Sequence, residues 1–367
     1  MRVLTVVGAR PQLVKCAVVS RVLRKQHQEI LIHTGQHYDD AMSALFFRQL
    51  EIPEPDENLD VRSGSHGEMT ARMMERLERS VLTHRPDWVL VYGDTNSTLA
   101  GALVAAKLQV PVAHVEAGLR SFNRRMPEEI NRVVTDHLAS LLLCPTDNAV
   151  ALLAREGITR GVHNVGDVML DSVLQNAARA RTTIDLDALL GGLGFQRDPS
   201  GAFAFATLHR AENTDDPARL ERILLGLAGC PVPVLLPLHP RTRKMLEGHA
   251  ELRAQLTGRV HLVEPIGYLE LLAIVSSARL VLTDSGGLQK EALFLGTRCI
   301  TLRDETEWVE TIDAGANVLA GADTGRIVAE AERALAQGPL GVEARAVFGD
   351  GRAGEKIVEV LEREQHR

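Results

Sequence analysis

Short apolar runs rich in β-branched residues alternate with longer stretches of helical period along almost the whole chain. This alternation constrains the fold more than any other feature. In the first half the runs are "VLTVVG", "EILIHTG", "DWVLVYGD", "VPVAHVEAG" and "SLLLCPT", and residues 11–26, 67–84, 95–108 and 127–140 read as helices between them. A strand that is apolar on both faces needs cover on both faces, which a parallel sheet wrapped by crossover helices supplies. Near 162–170, "VHNVGDVMLD" reads as a last strand and the exit from a first domain. Residues 181–200 have glycines, a proline and no clear period, and are expected to be irregular. The alternation then resumes with "AFAFATLHR", "VPVLLPLHP", "VHLVEPIG", "RLVLTDSGG" and "RCITLRDE", with helices near 216–229, 240–255, 267–277 and 285–296. The pattern predicts an α/β chain of two doubly wound, Rossmann-like domains, residues 1–168 and 169–351, facing a central cleft. Residues 352–367 read as an amphipathic helix able to pack back on the first domain.

Bulk properties narrow the partners. A chain of 367 residues has room for two domains, and 45% hydrophobic with 24% charged residues is ordinary for a globular enzyme. The formal net charge of −7 argues against a nucleic-acid partner, which needs a basic face, but leaves an anionic small molecule open. Cys16, Cys144, Cys230 and Cys299 form no C-x-x-C pair, so neither a disulfide scaffold nor a zinc ribbon is expected. Cys16, Cys144 and Cys299 lie in apolar runs and read as buried thiols in a reducing cytoplasm. No window approaches the roughly 18 uninterrupted apolar residues of a membrane span. The opening "MRVLTVVGARPQ" reads as a strand and turn rather than a signal peptide. A cytoplasmic protein without a membrane partner is the expectation.

In doubly wound sheets, ligands bind beyond the carboxyl ends of the strands. Those ends carry Gly8-Ala9-Arg10, Gly35-Gln36-His37, Gly93-Asp94-Thr95, Glu116, Leu208-His209-Arg210, Leu238-His239-Pro240, Glu264-Pro265 and Asp284-Ser285-Gly286-Gly287. A substrate in a cleft between the domains would meet them all.

Each motif has a plain reading beside the chemical one. "HVEAGLRSFNRRMPEEINR", residues 114–132, sets Glu116, Glu128 and Glu129 among arginines. It is either a solvated loop laced with ion pairs or a set of acid–base groups beside an anionic substrate. In "LTDSGGLQKEALFLG", Gly286 and Gly287 open a helix N-terminus to a phosphate, and Glu291 one turn on can accept from a ribose. The plain reading is a Ser cap. "GARPQLVK" sets Arg10 at the sheet edge for bidentate phosphate contact or for pairing with a carboxylate, with Pro11 suited to the first helical position. Asp94 in "VYGDTNST" is an N-cap, unless Thr95 or Asn96 caps and frees it. His209 in "TLHRAEN" is a general base, a phosphate donor or a packed residue. "PLHPRTRK" opens a helix with cations, which a bound anion would relieve. The histidines are scattered without ligand spacing, so no metal is expected, and neither a G-x-S-x-G elbow nor a G-x-G-x-x-G fingerprint occurs.

Together these motifs carry a resemblance. "GARPQLVK", "TGQHYD", "VYGDTNSTLAGALVAAKLQVPVAHVEAGLRS", "RMPEEINR", "TLHRAEN" and "LTDSGGLQKEALFLG" are similar, in order and over most of the chain, to segments of the non-hydrolysing UDP-N-acetylglucosamine 2-epimerases. The resemblance implies a GT-B architecture, a homodimer, no cofactor, and a UDP-sugar substrate, with UDP-GlcNAc and UDP-ManNAc interconverted. It implies elimination of UDP with loss of the carbon-2 proton, a bound 2-acetamidoglucal, and re-addition of UDP with a proton delivered to the opposite face. By matching motifs, Asp94, Glu116 and Glu128 are the catalytic carboxylates, with His209 near the diphosphate. Arg10, Ser285, Gly286, Gly287 and Glu291 hold UDP, and Lys15 and Arg132 assist. Gln36 and His239 match, in part, a second UDP-GlcNAc site known in some members. The chain departs from many members at Ala9 and Gln12, where they have Thr and Glu, and at "ETEWVE", where they carry Arg–Pro after "TTE". "GARPQ", "RSFNRRMPEE" and "DETEWVE" resemble a subgroup that includes epimerases of UDP-2,3-diacetamido-glucuronic acid, with Arg124 and Arg125 in the stretch that tunes the sugar. A hydrolysing 2-epimerase, a GT-B glycosyltransferase and a non-catalytic nucleotide-sugar sensor are the alternatives.

Overall fold

A computed structural model describes residues 1–35, 52–238, 242–243, 246 and 250–365, with the Arg10 side chain outside that description. The chain divides into two compact units, Met1–Ser172 with Val347–Arg367, and Val173–Ala346.

The first unit is built on a parallel seven-stranded sheet of order β3-β2-β1-β4-β5-β6-β7. Its strands are β1 (Arg2–Val7), β2 (Gln28–His33), β3 (Glu57–Asn58), β4 (Trp88–Tyr92), β5 (Val112–Val115), β6 (Leu141–Cys144) and β7 (Val162–Asn164). The helices are α1 (Arg10–Leu23), α2 (His66–His84), α3 (Asn96–Lys107), α4 (Pro127–Leu138), α5 (Asp147–Arg155) and α6 (Val168–Thr183), the last crossing into the second unit.

A parallel six-stranded sheet of order β10-β9-β8-β11-β12-β13 forms the second unit. Its strands are β8 (Ala204–Thr207), β9 (Val234–Pro237), β10 (Val260–Val263), β11 (Leu280–Thr283), β12 (Arg298–Thr301) and β13 (Asn317–Leu319). Around it lie α7 (Leu186–Gly192), α8 (Ala211–Thr214), α9 (Pro217–Ala228), α10 (Ala250–Leu256), α11 (Tyr268–Ser277), α12 (Gly286–Leu295), α13 (Val309–Asp313) and α14 (Thr324–Gln337). The final helix, α15 (Ala353–Gln365), belongs to the first unit.

The strands explain why both faces must be covered. In the second unit Ala204, Ala206, Val234, Leu236 and Leu282 pack into one buried cluster, while the alternate residues Phe203, Phe205, Leu235 and Val281 pack into another. Side chains point to opposite faces at each step, so apolar residues at every step need helices on both sides. Strand order reverses between β1 and β4 in one unit and between β8 and β11 in the other, which marks where each sheet opens a crevice at its carboxyl edge.

The structure revises two expectations. Residues 181–200 are not irregular throughout: α6 runs to Thr183, and α7 follows with Asp185 as its N-cap, the carboxylate accepting from Ala188 N at 3.0 Å. Leu186, Leu189, Leu190 and Leu193 form the apolar stripe of α7 and pack by Phe195 and Phe203. The glycine pair Gly191-Gly192 masked that stripe in the sequence. Residues 169–172 and 347–351, assigned by sequence to the second domain, lie in the first unit. There Phe348 is fully buried, its carbonyl accepts from Asp167 N at 2.8 Å, and Gly166 turns against it with φ +87°. All four cysteines are buried and free. Among the described residues, no helix is long and apolar enough to cross a membrane.

Candidate functional site

In the first unit the switch point between β1 and β4 is closed by one side chain. Gln12, buried in the first turn of α1, accepts from Gly8 N (2.8 Å) and Ala9 N (3.0 Å). Its amide donates to Tyr92 O (2.7 Å), Thr95 Oγ1 (3.0 Å) and Thr98 Oγ1 (2.9 Å). Gly8 is required for close approach: a Cβ there would fall 2.2 Å from both Ser97 Oγ and Thr34 Oγ1, which bond each other at 2.8 Å. Pro11 occupies the start of α1, as its sequence position predicts.

Thr95 is the N-cap of α3, its hydroxyl accepting from Thr98 N. Asp94 is therefore released from capping, and its carboxylate pairs with Arg132 of α4. Asn131 donates to Asp94 O at 2.9 Å and so holds the turn itself. Burial pushes the Arg132 guanidinium toward losing its proton, but Asp94, Glu129 and Glu116 outweigh it and hold the pKa above the ordinary value.

Strand β5 ends in Glu116, a non-glycine residue at φ +68°, a left-handed conformation of the kind that clusters where function over-determines the backbone. Its carboxylate pairs with Lys15 of α1. A Cβ on Gly93 would stand 3.3 Å from Glu116 Oε2 and 3.6 Å from Lys15 Nζ. Lys15, Gly93, Asp94, Glu116 and Arg132 thus form one contiguous polar group beyond the sheet. Glu128 lies exposed in the first turn of α4, one turn before Arg132.

Glu129 is not a simple first-turn charge. It is buried, and it accepts from Ser121 N, Ser121 Oγ and Phe122 N, each at 2.9 Å, and from Arg132 Nη1 at 3.3 Å. It therefore ties the loop after β5 to α4.

The second unit repeats the device. Asp284, fully buried at the end of β11, accepts from His209 N (3.1 Å), Arg210 N (3.0 Å) and Asn213 Nδ2 (3.1 Å). This locks the turn after β8 to the turn after β11. His209 Nδ1 lies 3.4 Å from Asp284 Oδ1, and the His209 side chain is 40% exposed, so the carboxylate orients a ring that solvent can reach.

Ser285 does cap α12, its hydroxyl accepting from Leu288 N at 3.4 Å, which agrees with the plain reading of that residue. Gly286 is held close by its surroundings: a Cβ would fall 2.3 Å from Glu307 Oε1. Gly287 is exposed, with nothing nearer its Cβ position than Ser285 Oγ at 3.8 Å. Glu291 is buried beneath this turn. Desolvation pushes its carboxyl up to about 7, against the opposing pull of the Tyr268 hydroxyl, which donates to it at 3.3 Å, and of Lys290. Lys290 itself lies 3.6 Å over the Trp308 ring.

Gln36 and His239 lie outside the described residues. Sequence reasoning gave no role to Gln12, His114, Asp136 or Asp284. The available signal was a polar residue in, or directly after, an otherwise apolar strand, as in "VAHV" and "LVLTD". Among the described residues no group of three or more His, Cys, Asp or Glu is arranged to hold a metal ion.

Comparison with known proteins joins this geometry to a family. A profile of the UDP-N-acetylglucosamine 2-epimerase family matches residues 21–362. A UDP-2,3-diacetamido-2,3-dideoxy-D-glucuronate 2-epimerase of Pseudomonas aeruginosa is 50% identical over 369 residues, covering 98% of this chain and 99% of its own. A UDP-N-acetylglucosamine 2-epimerase of Methanocaldococcus jannaschii is 42% identical over 368 residues, covering 98% and 99%. The crystal structure of Methanocaldococcus jannaschii UDP-GlcNAc 2-epimerase in complex with UDP-GlcNAc and UDP superposes with a TM-score of 0.86 at 41% identity, over 99% of this chain and 100% of that one. By the extent of this likeness, in sequence and in fold alike, the chain belongs to the UDP-N-acetylglucosamine 2-epimerase family.

Proposed function

We propose that the protein interconverts UDP-linked 2-acetamido sugars epimeric at carbon 2, UDP-GlcNAc and UDP-ManNAc in the first instance, by eliminating UDP and adding it back through a bound glycal. The observation that carries this reading is the polar group around Gly93, where Asp94 and Glu116 are each paired with a cation beyond a sheet switch point.

The chemistry explains why such groups are needed. No carbonyl is attached to carbon 2, so its proton is not acidic in the ground state. Departure of UDP builds positive charge on carbon 1, and that charge acidifies the neighbouring proton in the transition state. Carboxylates must then remove the proton on one face of the sugar and return one on the other. Asp94, Glu116 and Glu128 are the groups assigned to this work. Lys15 and Arg132 pair with two of them and aim them.

The leaving diphosphate needs cationic and N–H stabilisation. The start of α12 at Ser285, Gly286 and Gly287 offers backbone N–H groups and the positive end of a helix. His209, oriented by Asp284, is the side-chain donor, with Arg10 in the same role. Glu291 accepts from the ribose hydroxyls. The same reading has the protein working in the cytoplasm as a homodimer. Its buried free thiols suit a reducing compartment.

A second reading concerns the sugar. The Pseudomonas aeruginosa relative is named for a UDP-2,3-diacetamido-2,3-dideoxy-D-glucuronate, and the loop held by Glu129 carries Arg124 and Arg125, cations of the kind that pair with a uronate carboxylate. Incubation of the purified protein with each UDP-sugar, followed by NMR, tests both readings. The expected result is a mixture of two UDP-sugars epimeric at carbon 2, without free sugar. Accumulation of free ManNAc and UDP would identify a hydrolysing enzyme, and conversion of neither substrate would refute the proposal.

A further inference from the structure

We infer that His114 is a positioning residue of the epimerisation site: a buried imidazole ring, clamped between the Asp136 carboxylate and the Gly93 carbonyl, that holds Asp94 and Glu116 in register with each other. The inference rests on the reading of those two carboxylates as acid–base groups.

His114 is 0% exposed, in the middle of β5. Its Nε2 lies 2.7 Å from Gly93 O, and its Nδ1 lies 2.6 Å from Asp136 Oδ1. A carbonyl oxygen can only accept, so Nε2 carries a hydrogen. The Asp136 carboxylate also accepts from Gly118 N (3.1 Å) and Arg120 Nη1 (2.7 Å). Burial pushes its carboxyl up, but the His114 ring and Arg120 outweigh that effect and hold it below the usual carboxylate range.

Arg120 completes the cluster by donating to Glu156 through Nε (2.7 Å) and Nη2 (2.8 Å). His114, Arg120, Asp136 and Glu156 are thus matched donor to acceptor, which is the condition for keeping such groups out of water.

The cluster touches both catalytic turns. Gly93, at φ +62°, directly precedes Asp94, and His114 fixes the direction of its carbonyl. Glu116 lies between His114 and Gly118, both of which are anchored on Asp136. A left-handed non-glycine residue is strained and persists only where its neighbours over-determine it. Two anchors, one on each side of Glu116, meet that condition. Being fully enclosed, His114 does not touch substrate; it acts through Asp94 and Glu116. Proton transfer is steep in distance, so a displaced carboxylate lowers turnover before it lowers binding.

The test uses full-length His114→Gln, His114→Ala and Asp136→Asn proteins beside the parent. For each, kcat, KM and deuterium entry at carbon 2 of the UDP-sugar are measured, with UDP binding by calorimetry and thermal unfolding. The expected result is a kcat lower by on the order of 10²-fold, with KM and the Kd for UDP within about threefold of the parent. Added imidazole should restore part of the lost kcat in His114→Ala. If His114→Ala does not fold, the Asp136→Asn protein carries the test, with the same split between kcat and UDP binding expected. A folded variant with parental kcat, or a kcat that falls only in proportion to the folded fraction, would overturn the inference. Absence of exchange in the parent would overturn the epimerase reading instead.

Discussion

Gln12 shows how much one side chain can decide. Its amide oxygen takes two backbone N–H groups at the start of α1, and its nitrogen gives to Tyr92 O and two threonine hydroxyls across the switch point. An ionised glutamate here would have no proton to offer the Tyr92 carbonyl, so the amide of this chain is chemically matched to its surroundings. Glu291 is the other residue whose environment makes a prediction. Burial raises its carboxyl from an ordinary 4.5 to about 7. Between those values the native protein holds a proton that the unfolded chain releases. Stability from this group is therefore complete below 4.5 and is lost as pH rises through 7. Glu291→Gln should remove that slope. Relative to the parent it should gain up to about 3 kcal/mol between acid and neutral pH, read from urea unfolding. UDP binding should respond oppositely in the parent. If Glu291 accepts from the ribose hydroxyls, as proposed, affinity should weaken as pH falls from about 7.5 to about 6, and calorimetry in buffers of different ionisation enthalpy should show a proton released on binding.

Elements were legible where their period was clean. Strands β1, β4, β5 and β11 and helices α3, α4 and α12 lie where the apolar runs and the 3.6-residue stripes put them. Helix α7 was not legible, because Gly191 and Gly192 dilute a stripe that only Phe195 and Phe203 make worthwhile. The same limit applies at the site. Asp94, Glu116 and the Ser285 turn are visible as polar residues at strand ends. The roles of Glu129, Asp136 and Asp284 depend on which distant backbone N–H groups they meet, and no spacing encodes that. Turn geometry also makes a prediction here. At Gly8 a methyl group would drive into the Thr34–Ser97 hydrogen bond, buried on both sides. Gly8→Ala should destabilise the first unit by about 2–4 kcal/mol, measured by denaturant unfolding, through overpacking and a broken buried bond. Gly287→Ala, whose Cβ would meet Ser285 Oγ only at an ordinary 3.8 Å, should leave stability within about 0.5 kcal/mol and report on ligand binding alone.

At the scale of the whole molecule, the chain leaves its first unit through α6 and returns to it for the last helix. Helix α15 is not an appendage. Gly354 packs so closely on α1 that a Cβ would fall 2.7 Å from Val18 Cγ1, and its N–H donates to Asp171 Oδ2 at 2.9 Å. His27 meets Glu362 at 2.7 Å, and Ile357 and Leu361 are fully buried. Each buried aliphatic side chain contributes about 1.5–3 kcal/mol, so removing residues 347–367 takes away an amount comparable to the whole stability of a domain. Hydrogen exchange should then show β1 and β2 unprotected while β8 and β11 keep their protection.

In the proposed reaction Asp94 and Glu116 move the carbon-2 proton while UDP leaves and returns. Incubation with UDP-GlcNAc, and separately with the diacetamido-glucuronate, in heavy water tests it most directly. Deuterium is expected at carbon 2 in both UDP epimers of at least one substrate pair. Glu116→Gln should lower that exchange by about a thousandfold or more, while the protein stays folded and still binds UDP. Epimers formed without deuterium at carbon 2, or near-normal exchange in Glu116→Gln, would contradict it.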